Sequence, residues 1–277
     1  MGFGRGMRWM GLLLAGCVAL SAGDHAKARL SLKSASALVL DQWTGRALVE
    51  KQAGAVQPIA SLTKLMTAMV VLDAHLDPRE LLTITTDDKD DLRHSRSRLP
   101  VGTRLPREQA LLLALLASEN RAAHALGRTF PGGLATFVQA MNAKARALGL
   151  SEARFEDPTG LSSGNVATAW DLARILEAAY GYAEIRDFST RPETTIQSGH
   201  RSIQFANTNA LVRNPRWNIG LSKTGYIEEA GRCLVMQAML ANRPVLVILL
   251  DSWGKYTRLG DANRIKQWLE ASLSSRP

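Results

Sequence analysis

The apolar residues of this chain form short continuous runs near its two ends, and these runs predict β-strands. The stretch "SALVLDQWTGRALVEK" reads as two strands joined by a turn at Thr44–Gly45. In the last third, "WNIGLSKTG", "GRCLVMQAML" and "RPVLVILLD" predict three further strands, with Asn242–Pro244 in the turn between the last two. The final strand is apolar without alternation, which predicts that both of its faces are covered.

Between the two groups of strands the apolar residues recur at helical spacing. A helix is predicted after Ser61, since apolar residues follow it at positions 62, 65, 66, 69 and 70. The stretch "REQALLLALLASENRAAHALGR" is apolar nearly all round in its middle and predicts one buried helix. Two amphipathic helices follow, "LATFVQAMNAKARALG" closed by Gly149 and "ATAWDLARILEAAYG" closed by Gly181. The charge-dense stretch "DDKDDLRHSRSR" is typical of a solvated loop.

The order of these elements predicts the architecture. Strands come first, a long helical stretch follows, strands return, and "DANRIKQWLEASL" closes the chain as an amphipathic helix. We expect an α/β fold in which one antiparallel sheet is built from both chain ends and is covered by helices. The helical stretch, roughly residues 75–200, would form a subdomain inserted into that fold.

The first residues have a different character from the rest. Arg5 and Arg8 precede the apolar run "WMGLLLAGCVALSAG", and an A-x-A pattern follows at Ala26–Ala28. This combination predicts a signal peptide at 1–28 and a mature domain at 29–277. The alternative is lipidation, since "LAGC" resembles a lipoprotein box with Cys17 as the modified residue. No later run reaches about 18 apolar residues, so we expect at most a loose association with a membrane.

Composition and charge narrow the possible partners. Hydrophobic residues make up 46% and charged residues 21% of the 277 residues, as in ordinary globular proteins. The formal charge of +9 falls to about +7 without the signal peptide, and a basic exported protein suggests an anionic polymer or surface as its partner. Nucleic acid is disfavoured by the compartment and by the lack of a zinc-finger or aromatic RNA-binding signature. After cleavage only Cys233 remains, inside an apolar run, so we expect a buried thiol and no internal disulfide.

A serine and a lysine three residues apart are the first candidate chemistry. Ser61 and Lys64 would share one face of the predicted helix, which places a nucleophile beside a base. The alternative is an ordinary N-terminal serine followed by a solvated lysine. A second S-x-x-K pattern occurs at Ser252 and Lys255, so the pattern alone is weak. Ser61 differs by opening a helix, whose N-terminus favours developing negative charge, whereas Ser252 follows the end of a strand.

Two further motifs follow in sequence order. "SEN" at Ser118–Asn120 is a weak signal, because "SGN" at Ser163–Asn165 has the same form. "KTG" at Lys223–Gly225 is rarer and ends an apolar strand. The three motifs together, on a helix, a helix and a strand, are strong evidence for a shared site.

These motifs occur together in class A β-lactamases and penicillin-binding proteins, here with S-x-N in the middle position. "PIASLTKLMTAMVVLDA", "LLLALLASENRAAHAL", "DPTGLS", "TNALV" and "WNIGLSKTGY" resemble the D-alanyl-D-alanine carboxypeptidase family of serine peptidases, and similarity extends from about Ala37 to Leu273. Within the family the chain is most similar to the endopeptidases. The resemblance implies a serine β-lactamase/transpeptidase-like fold, in which residues 29–277 form one penicillin-binding serine peptidase domain.

The resemblance also implies roles for the catalytic motif residues. Lys64 would take the proton of Ser61, the nucleophile, and Ser118 would relay protons between that base and the leaving amine. Asn120 would hold the substrate backbone and orient Lys64.

Four residues of the third motif region would bind the substrate. By resemblance, Lys223 supplies a fixed positive charge and Thr224 a hydroxyl for the substrate carboxylate. Gly225 lets the backbone come close to a ligand. The oxyanion hole would use the backbone N–H groups of Ser61 and Tyr226.

The function implied is hydrolysis of D-Ala–meso-diaminopimelate cross-links in periplasmic peptidoglycan, through an acyl-enzyme on Ser61 that β-lactams also form. Two alternatives remain: a carboxypeptidase that trims pentapeptide stems, and a catalytically silent wall-binding protein.

The resemblance implies no cofactor, and the five scattered histidines predict no metal site. A β-lactamase is disfavoured because no E-x-x-L-N pattern lies between the second and third motifs. "GLSSG" at Gly160–Gly164 matches a nucleophile elbow, but the polar stretch before it, with Pro158, predicts a loop instead of the required strand.

Overall fold

The computed structural model describes residues 1–2 and 30–274. The predicted signal peptide and its cleavage site, together with Cys17, therefore lie outside the described residues apart from Met1 and Gly2. Among the helices that are described, none is long and apolar enough to cross a membrane.

The predicted strands and helices occur in the predicted order, with further short strands and the helix at Ala183–Thr190 between them. The strands are β1 Ser36–Asp41, β2 Ala47–Lys51, β3 Gln57–Pro58, β4 Leu81–Thr83, β5 Arg104–Pro106, β6 Val166–Ala167, β7 Glu193–Ser198, β8 Arg201–Ala206, β9 Asn218–Ile227, β10 Gly231–Leu240 and β11 Arg243–Ser252. The helices are α1 Lys64–Asp73, α2 Arg107–Leu116, α3 Asn120–Arg128, α4 Gly133–Ala147, α5 Ala169–Tyr180, α6 Ala183–Thr190 and α7 Thr257–Ser274.

The main sheet has five strands in the order β2-β1-β11-β10-β9, and each neighbouring pair is antiparallel. Strands from the start of the chain thus pair with the last strand, which confirms the sheet built from both chain ends. The central strand β11 is buried over residues 244–250, as its unbroken apolar run predicts. Strand β9, which carries the K-T-G motif, lies at an edge, so part of its backbone faces away from the sheet.

Side chains of successive strand residues enter two different cores, because a strand alternates its faces. Ala37 and Val39 pack with Ile265 and Leu269 of α7 on one side of the sheet. Leu38 and Leu40 pack on the other side, against the core that includes α1, α2 and α5. The sheet is therefore covered on both faces, with α7 alone on one of them and the other helices clustered opposite.

Helices α1 to α6 all lie between β2 and β9 in sequence, together with the short strand pairs β4–β5 and β7–β8. Helices α2 to α6 fall within the predicted helical stretch, whereas α1 precedes it. The status of this stretch as a separate inserted subdomain at roughly 75–200 stays a prediction.

The structure corrects three local predictions. The long buried helix is broken into α2 and α3, and Ser118 lies in the break with a left-handed φ of 58°. Ser61 precedes the α-helix and lies in a 3-10 turn at Ala60–Thr63. The turn between β10 and β11 uses Ala241 and Asn242, at φ 50° and 60°, so that the two residues after Asn242 already belong to β11. Each difference concerns a turn or a break between regular elements.

Candidate active site

Ser61 and Lys64 lie side by side where the 3-10 turn runs into α1. The Lys64 Nζ is 3.0 Å from the Ser61 Oγ, with Ser61 partly exposed and Lys64 fully buried. The turn is tightly enclosed: Ala60 has a left-handed φ of 48°, and a Cβ placed on Gly160 would lie only 1.9 Å from the Ala60 carbonyl oxygen. Only glycine fits at position 160, both for this approach and for its own φ of 80°.

The Lys64 amine makes two contacts besides the one to Ser61. Its Nζ is 2.7 Å from Asn120 Oδ1 and 2.6 Å from the Thr159 carbonyl oxygen. Both of these oxygens can only accept hydrogen bonds. A neutral amine has two N–H groups and one lone pair, so when both N–H groups bind these oxygens, the lone pair is left for the Ser61 hydroxyl. The geometry therefore directs an uncharged Lys64 to act as a base toward Ser61.

Burial makes the uncharged form accessible near neutral pH. Desolvation lowers the pKa of Lys64 to about 7, against a partly offsetting rise caused by the negative charges of Asp157, Glu119 and Asp90. A general base works best when its pKa lies near the working pH. Lys64 thus combines the position and the proton affinity that the proposed chemistry requires.

Asn120 is held in one orientation by contacts at both ends of its amide. Its Oδ1 accepts from Lys64, and its Nδ2 donates to Ser95 Oγ at 2.9 Å. Ser95 belongs to the charge-dense stretch that the sequence predicts as a solvated loop. That prediction is incomplete, because this stretch forms part of the wall of the site and fixes an amide that faces the base.

Further contacts attach the same loop to the site. Ser97 Oγ donates at 2.5 Å to Oε1 of Glu119, the middle residue of the S-x-N motif. Arg93 donates to the Leu161 carbonyl oxygen at 2.5 Å and to Glu229 at 2.8 Å. Sequence reasoning missed these residues, since isolated serines and arginines in a charged stretch carry no signal of their partners.

Ser118 contacts the K-T-G lysine in this structure. Lys223 Nζ donates to Ser118 Oγ at 2.8 Å and to the Thr224 carbonyl oxygen at 2.7 Å. Thr224 Oγ1 donates to Thr208 Oγ1 at 2.7 Å, so its hydroxyl also has a defined position. The second and third motifs therefore meet directly, and Ser118 lies between two helices instead of near the end of one.

Three cationic side chains lie close together at this end of the site. Burial lowers the pKa of Lys223 well below its usual range, and the positive charges of Lys64 and Arg258 lower it further. Burial, followed by the charge of Arg232, also lowers the pKa of Arg258. Within the described residues, Nε and Nη1 of Arg258 are buried without a hydrogen-bond partner. Such a cluster favours the binding of an anion, because a nearby negative charge would stabilise the protonated forms of Lys223 and Arg258. A substrate carboxylate has the right chemistry for this role. Sequence reasoning missed Arg258, which stands in no recognisable motif.

Gly225 brings the edge strand against the turn of the candidate nucleophile. A Cβ at Gly225 would lie 3.0 Å from the Ile59 carbonyl oxygen and 3.1 Å from the Ser61 nitrogen, closer than side chains are normally accommodated. The next residue, Tyr226, is 54% exposed, and its ring is stacked against the Arg232 guanidinium at 4.5 Å. Its side chain thus faces solvent, which leaves its backbone as the part that can act beside Ser61.

The competing sequence motifs have other surroundings. Ser252 is buried, and its Oγ is 2.7 Å from Ser34 Oγ, while Lys255 is exposed beside the Tyr256 ring. Ser162 lies in a loop, as predicted, and its Oγ donates to Glu156 at 2.7 Å. Asn165 of the second S-x-N match is buried and donates to Thr63 Oγ1 at 3.1 Å, so it supports the turn from beneath. No group of three or more His, Cys, Asp or Glu residues able to hold a metal ion occurs among the described residues.

The fold and the pair formed by Ser61 and the buried Lys64 together define a serine hydrolase of the penicillin-binding type. The chain belongs to the D-alanyl-D-alanine carboxypeptidase family, whose model matches residues 23–253. It is 48% identical to the D-alanyl-D-alanine endopeptidase of Pseudomonas aeruginosa, over 94% of this chain and 86% of that protein. It is 42% identical to the D-alanyl-D-alanine endopeptidase of Escherichia coli, over 91% and 82% of the two chains.

Solved structures support the same assignment. The crystal structure of a Streptomyces DD-transpeptidase matches with a TM-score of 0.80 and 27% identity, over 87% of this chain and 98% of that one. The predicted family and fold are confirmed. The protein is a serine DD-peptidase, similar to endopeptidases of its family.

Proposed function

We propose that this protein hydrolyses D-Ala–meso-diaminopimelate cross-links of peptidoglycan through an acyl-enzyme on Ser61. The observation that carries the chemistry is the buried Lys64 amine, which lies 3.0 Å from Ser61 Oγ with two acceptors to occupy its N–H groups. Lys64 takes the hydroxyl proton as Ser61 Oγ bonds to the D-alanine carbonyl carbon. The backbone N–H groups of Ser61 and Tyr226 stabilise the oxyanion that forms.

Collapse of the tetrahedral intermediate breaks the amide bond. The leaving amine takes, by way of Ser118, the proton that Lys64 received from Ser61, and an ester to Ser61 remains. A water molecule then attacks this ester and gives a proton to Lys64. As the ester bond breaks, Lys64 passes this proton to Ser61 Oγ, and the stem peptide leaves with a new carboxylate. No cofactor is needed, since each step transfers only protons and the acyl group.

The carboxylate beside the scissile amide is the handle that orients the substrate. Lys223, Thr224 and Arg258 lie at the end of the site where this group would bind, and its negative charge offsets the burial of the two cations. Asn120 and the edge of β9 offer polar groups for the peptide backbone, as in recognition by strand addition. β-Lactams carry a carboxylate and a reactive amide, so the same residues make them covalent inhibitors.

The choice of an endopeptidase rests on two supports. The relatives at 48% and 42% identity are both D-alanyl-D-alanine endopeptidases. Thr208, whose hydroxyl contacts Thr224, and Tyr226 are both exposed, which is compatible with a leaving group larger than alanine. A carboxypeptidase that trims pentapeptides is the second candidate, because its substrate offers the same carboxylate to the same residues.

The proposed location is the periplasm, reached by a signal peptide that is removed, or with Cys17 lipidated in the alternative case. A mature charge of about +7 suits contact with the anionic cell wall. Peptidoglycan stem peptides are the proposed partners, with no nucleic acid.

Purified enzyme should cleave cross-linked muropeptide dimers and act weakly or not at all on monomeric pentapeptides. Specificity between these substrates depends on how well the wall accommodates the leaving group, since the catalytic residues contact the same atoms in both. Chromatographic separation of the products from each substrate measures the two rates. Efficient release of D-alanine from monomers with dimers left intact would identify a carboxypeptidase. Wild-type enzyme inert toward both substrates and toward penicillin would support the silent wall-binding alternative.

Replacing Lys223 should damage peptide turnover. We expect Lys223→Ala to lower kcat/KM by about 100-fold or more, because a buried substrate carboxylate would lose its charged partner. Lys223→Arg keeps the charge but cannot place it in the same buried position, so it should recover only part of the loss. Lys144→Ala, which removes a surface lysine paired with Asp73, is the matched control. An unchanged kcat/KM in Lys223→Ala would remove this lysine from the substrate site.

A further inference from the structure

One carboxylate organises the loop that faces Lys64. Asp157 Oδ1 accepts hydrogen bonds from the backbone N–H groups of Thr159 at 2.6 Å and Gly160 at 2.8 Å, and also from the Thr159 hydroxyl. Its Oδ2 accepts from the backbone N–H of Ser162 at 2.9 Å. Four donors thus converge on one side chain, and they fix the backbone from residue 157 to residue 162.

This loop is attached to the elements that carry the nucleophile. The Thr67 hydroxyl of α1 donates to the Pro158 carbonyl oxygen at 2.7 Å. The Asn165 side chain donates to the Asp157 carbonyl oxygen at 2.8 Å. The Thr159 carbonyl oxygen, two residues after Asp157, accepts from Lys64 Nζ at 2.6 Å. Asp157 therefore determines where the acceptor that holds the base can lie.

We propose that Asp157 is a positioning residue for the acylation step, acting on Lys64 both through the Thr159 carbonyl and through its own negative charge. The proposal rests on the proposed function only in requiring that Ser61 be acylated with Lys64 as the base. It does not depend on which peptide bond is cut. Asp157 itself touches neither the nucleophile nor the base by a hydrogen bond within the described contacts.

Several charged groups face Lys64, and Asp157 has the largest effect among the acidic ones. Its charge raises the pKa of Lys64 against the larger lowering caused by burial, and Glu119 and Asp90 add smaller increases. Glu119 accepts from Ser97, and Asp90 accepts from backbone N–H groups of its own loop. Lys223 faces the same space, where burial and then the positive charge of Lys64 lower its own pKa.

Removing the charge and loosening the loop have separable consequences. Without the carboxylate the pKa of Lys64 falls, so a larger fraction of the amine is neutral at acidic pH, and the acid limb of the acylation profile moves to lower pH. Loosening the Thr159 carbonyl lowers the rate at the plateau, because the lone pair is no longer directed at Ser61. Damage to the fold alone would lower the acylation rate at the plateau without moving the acid limb of the pH profile.

The test measures the second-order rate of labelling by a fluorescent penicillin between pH 5.5 and 9 in Asp157→Asn. We expect the plateau to fall by about tenfold. The rate at pH 6 relative to that plateau should rise roughly 2.5- to 5.5-fold, which corresponds to a midpoint that falls from about 7 by about half to one pH unit. Active-site titration with the same penicillin normalises each rate to the folded molecules. Asp157→Ser, which also removes the charge, serves if the asparagine variant folds poorly.

Two further variants make the comparison specific. Asp157→Glu keeps the negative charge but displaces it. The midpoint of its labelling profile should therefore stay near that of the wild type, while its plateau rate falls. Glu156→Gln is the matched control, since this exposed neighbour bonds to Ser162 and Arg154 and should leave both quantities unchanged. A midpoint in Asp157→Asn that stays in place or rises would overturn the proposal. Wild-type protein that forms no adduct at all would instead refute the proposed function, before any variant is compared.

Discussion

Ser61→Ala is expected to abolish the covalent penicillin adduct and to lower peptide hydrolysis by on the order of 10⁶-fold. Without its Oγ no bond can form to the substrate carbonyl carbon, and the remaining site can only bind. Intact-mass measurement after incubation with penicillin should show one added molecule in the wild type and none in the variant. We expect the wild-type adduct to persist, because the chain lacks the E-x-x-L-N pattern that carries the deacylating glutamate of class A β-lactamases.

The other candidate serines supply the controls for this experiment. Ser162→Ala removes the serine of the G-x-S-x-G match, and Ser252→Ala removes the serine of the second S-x-x-K match. Both should form the adduct at the wild-type rate, with Ser252→Ala checked for its melting temperature because this serine is buried against Ser34. An adduct that survives in Ser61→Ala, or disappears in either control, would show that the nucleophile lies elsewhere.

The features predictable from sequence are those set by local pattern. Strands β9, β10 and β11 appear as apolar runs bounded by turns, and burial of both faces of β11 follows from its missing alternation. The Ser61–Lys64 contact is also local, since three residues along a helical turn bring two side chains to one face. The hairpin of β7 and β8 was not predicted, because its strands are mostly polar and bury only a few residues such as Ile196 and Phe205.

The break at Ser118 shows why local pattern failed within the site. Ala117, Ser118 and Glu119 interrupt an otherwise continuous helical pattern, and nothing in their propensities requires a left-handed residue. The contacts that hold the break come from elsewhere: Lys223 reaches Ser118 across 105 positions and Ser97 reaches Glu119 across 22. Strained backbone of this kind persists only where tertiary contacts over-determine it.

The same reason explains the residues that sequence reasoning missed. Lys64 and Thr159 are 95 positions apart, and Asn120 and Ser95 are 25 apart, so neither contact has a signature in one sequence. Arg258 shares the surroundings of Lys223 only because α7 packs on the sheet. Three motifs indicated the proposed chemistry, but the partners that orient the proposed base become visible only in the fold.

Lys64→Met should lower penicillin acylation by about 10⁴- to 10⁶-fold while retaining the volume of the buried side chain, because a nucleophile and its base act as a unit. Lys255→Met, at the exposed lysine of the second S-x-x-K match, should label at the wild-type rate. Labelling of Lys64→Met within about tenfold of the wild type would exclude this lysine as the base.

The wild-type pH profile tests the same assignment without a substitution. Since burial lowers the pKa of Lys64 to about 7, the amine carries three N–H groups and no lone pair well below that pH. Above it the amine is neutral, and with its two N–H groups on Asn120 and Thr159 its lone pair faces Ser61. The second-order labelling rate, which reports the free enzyme, should therefore rise with pH through about 7 and then level off. A rate that falls as the pH rises through this range would mean that a protonated group is required at this step, and Lys64 could not be the base.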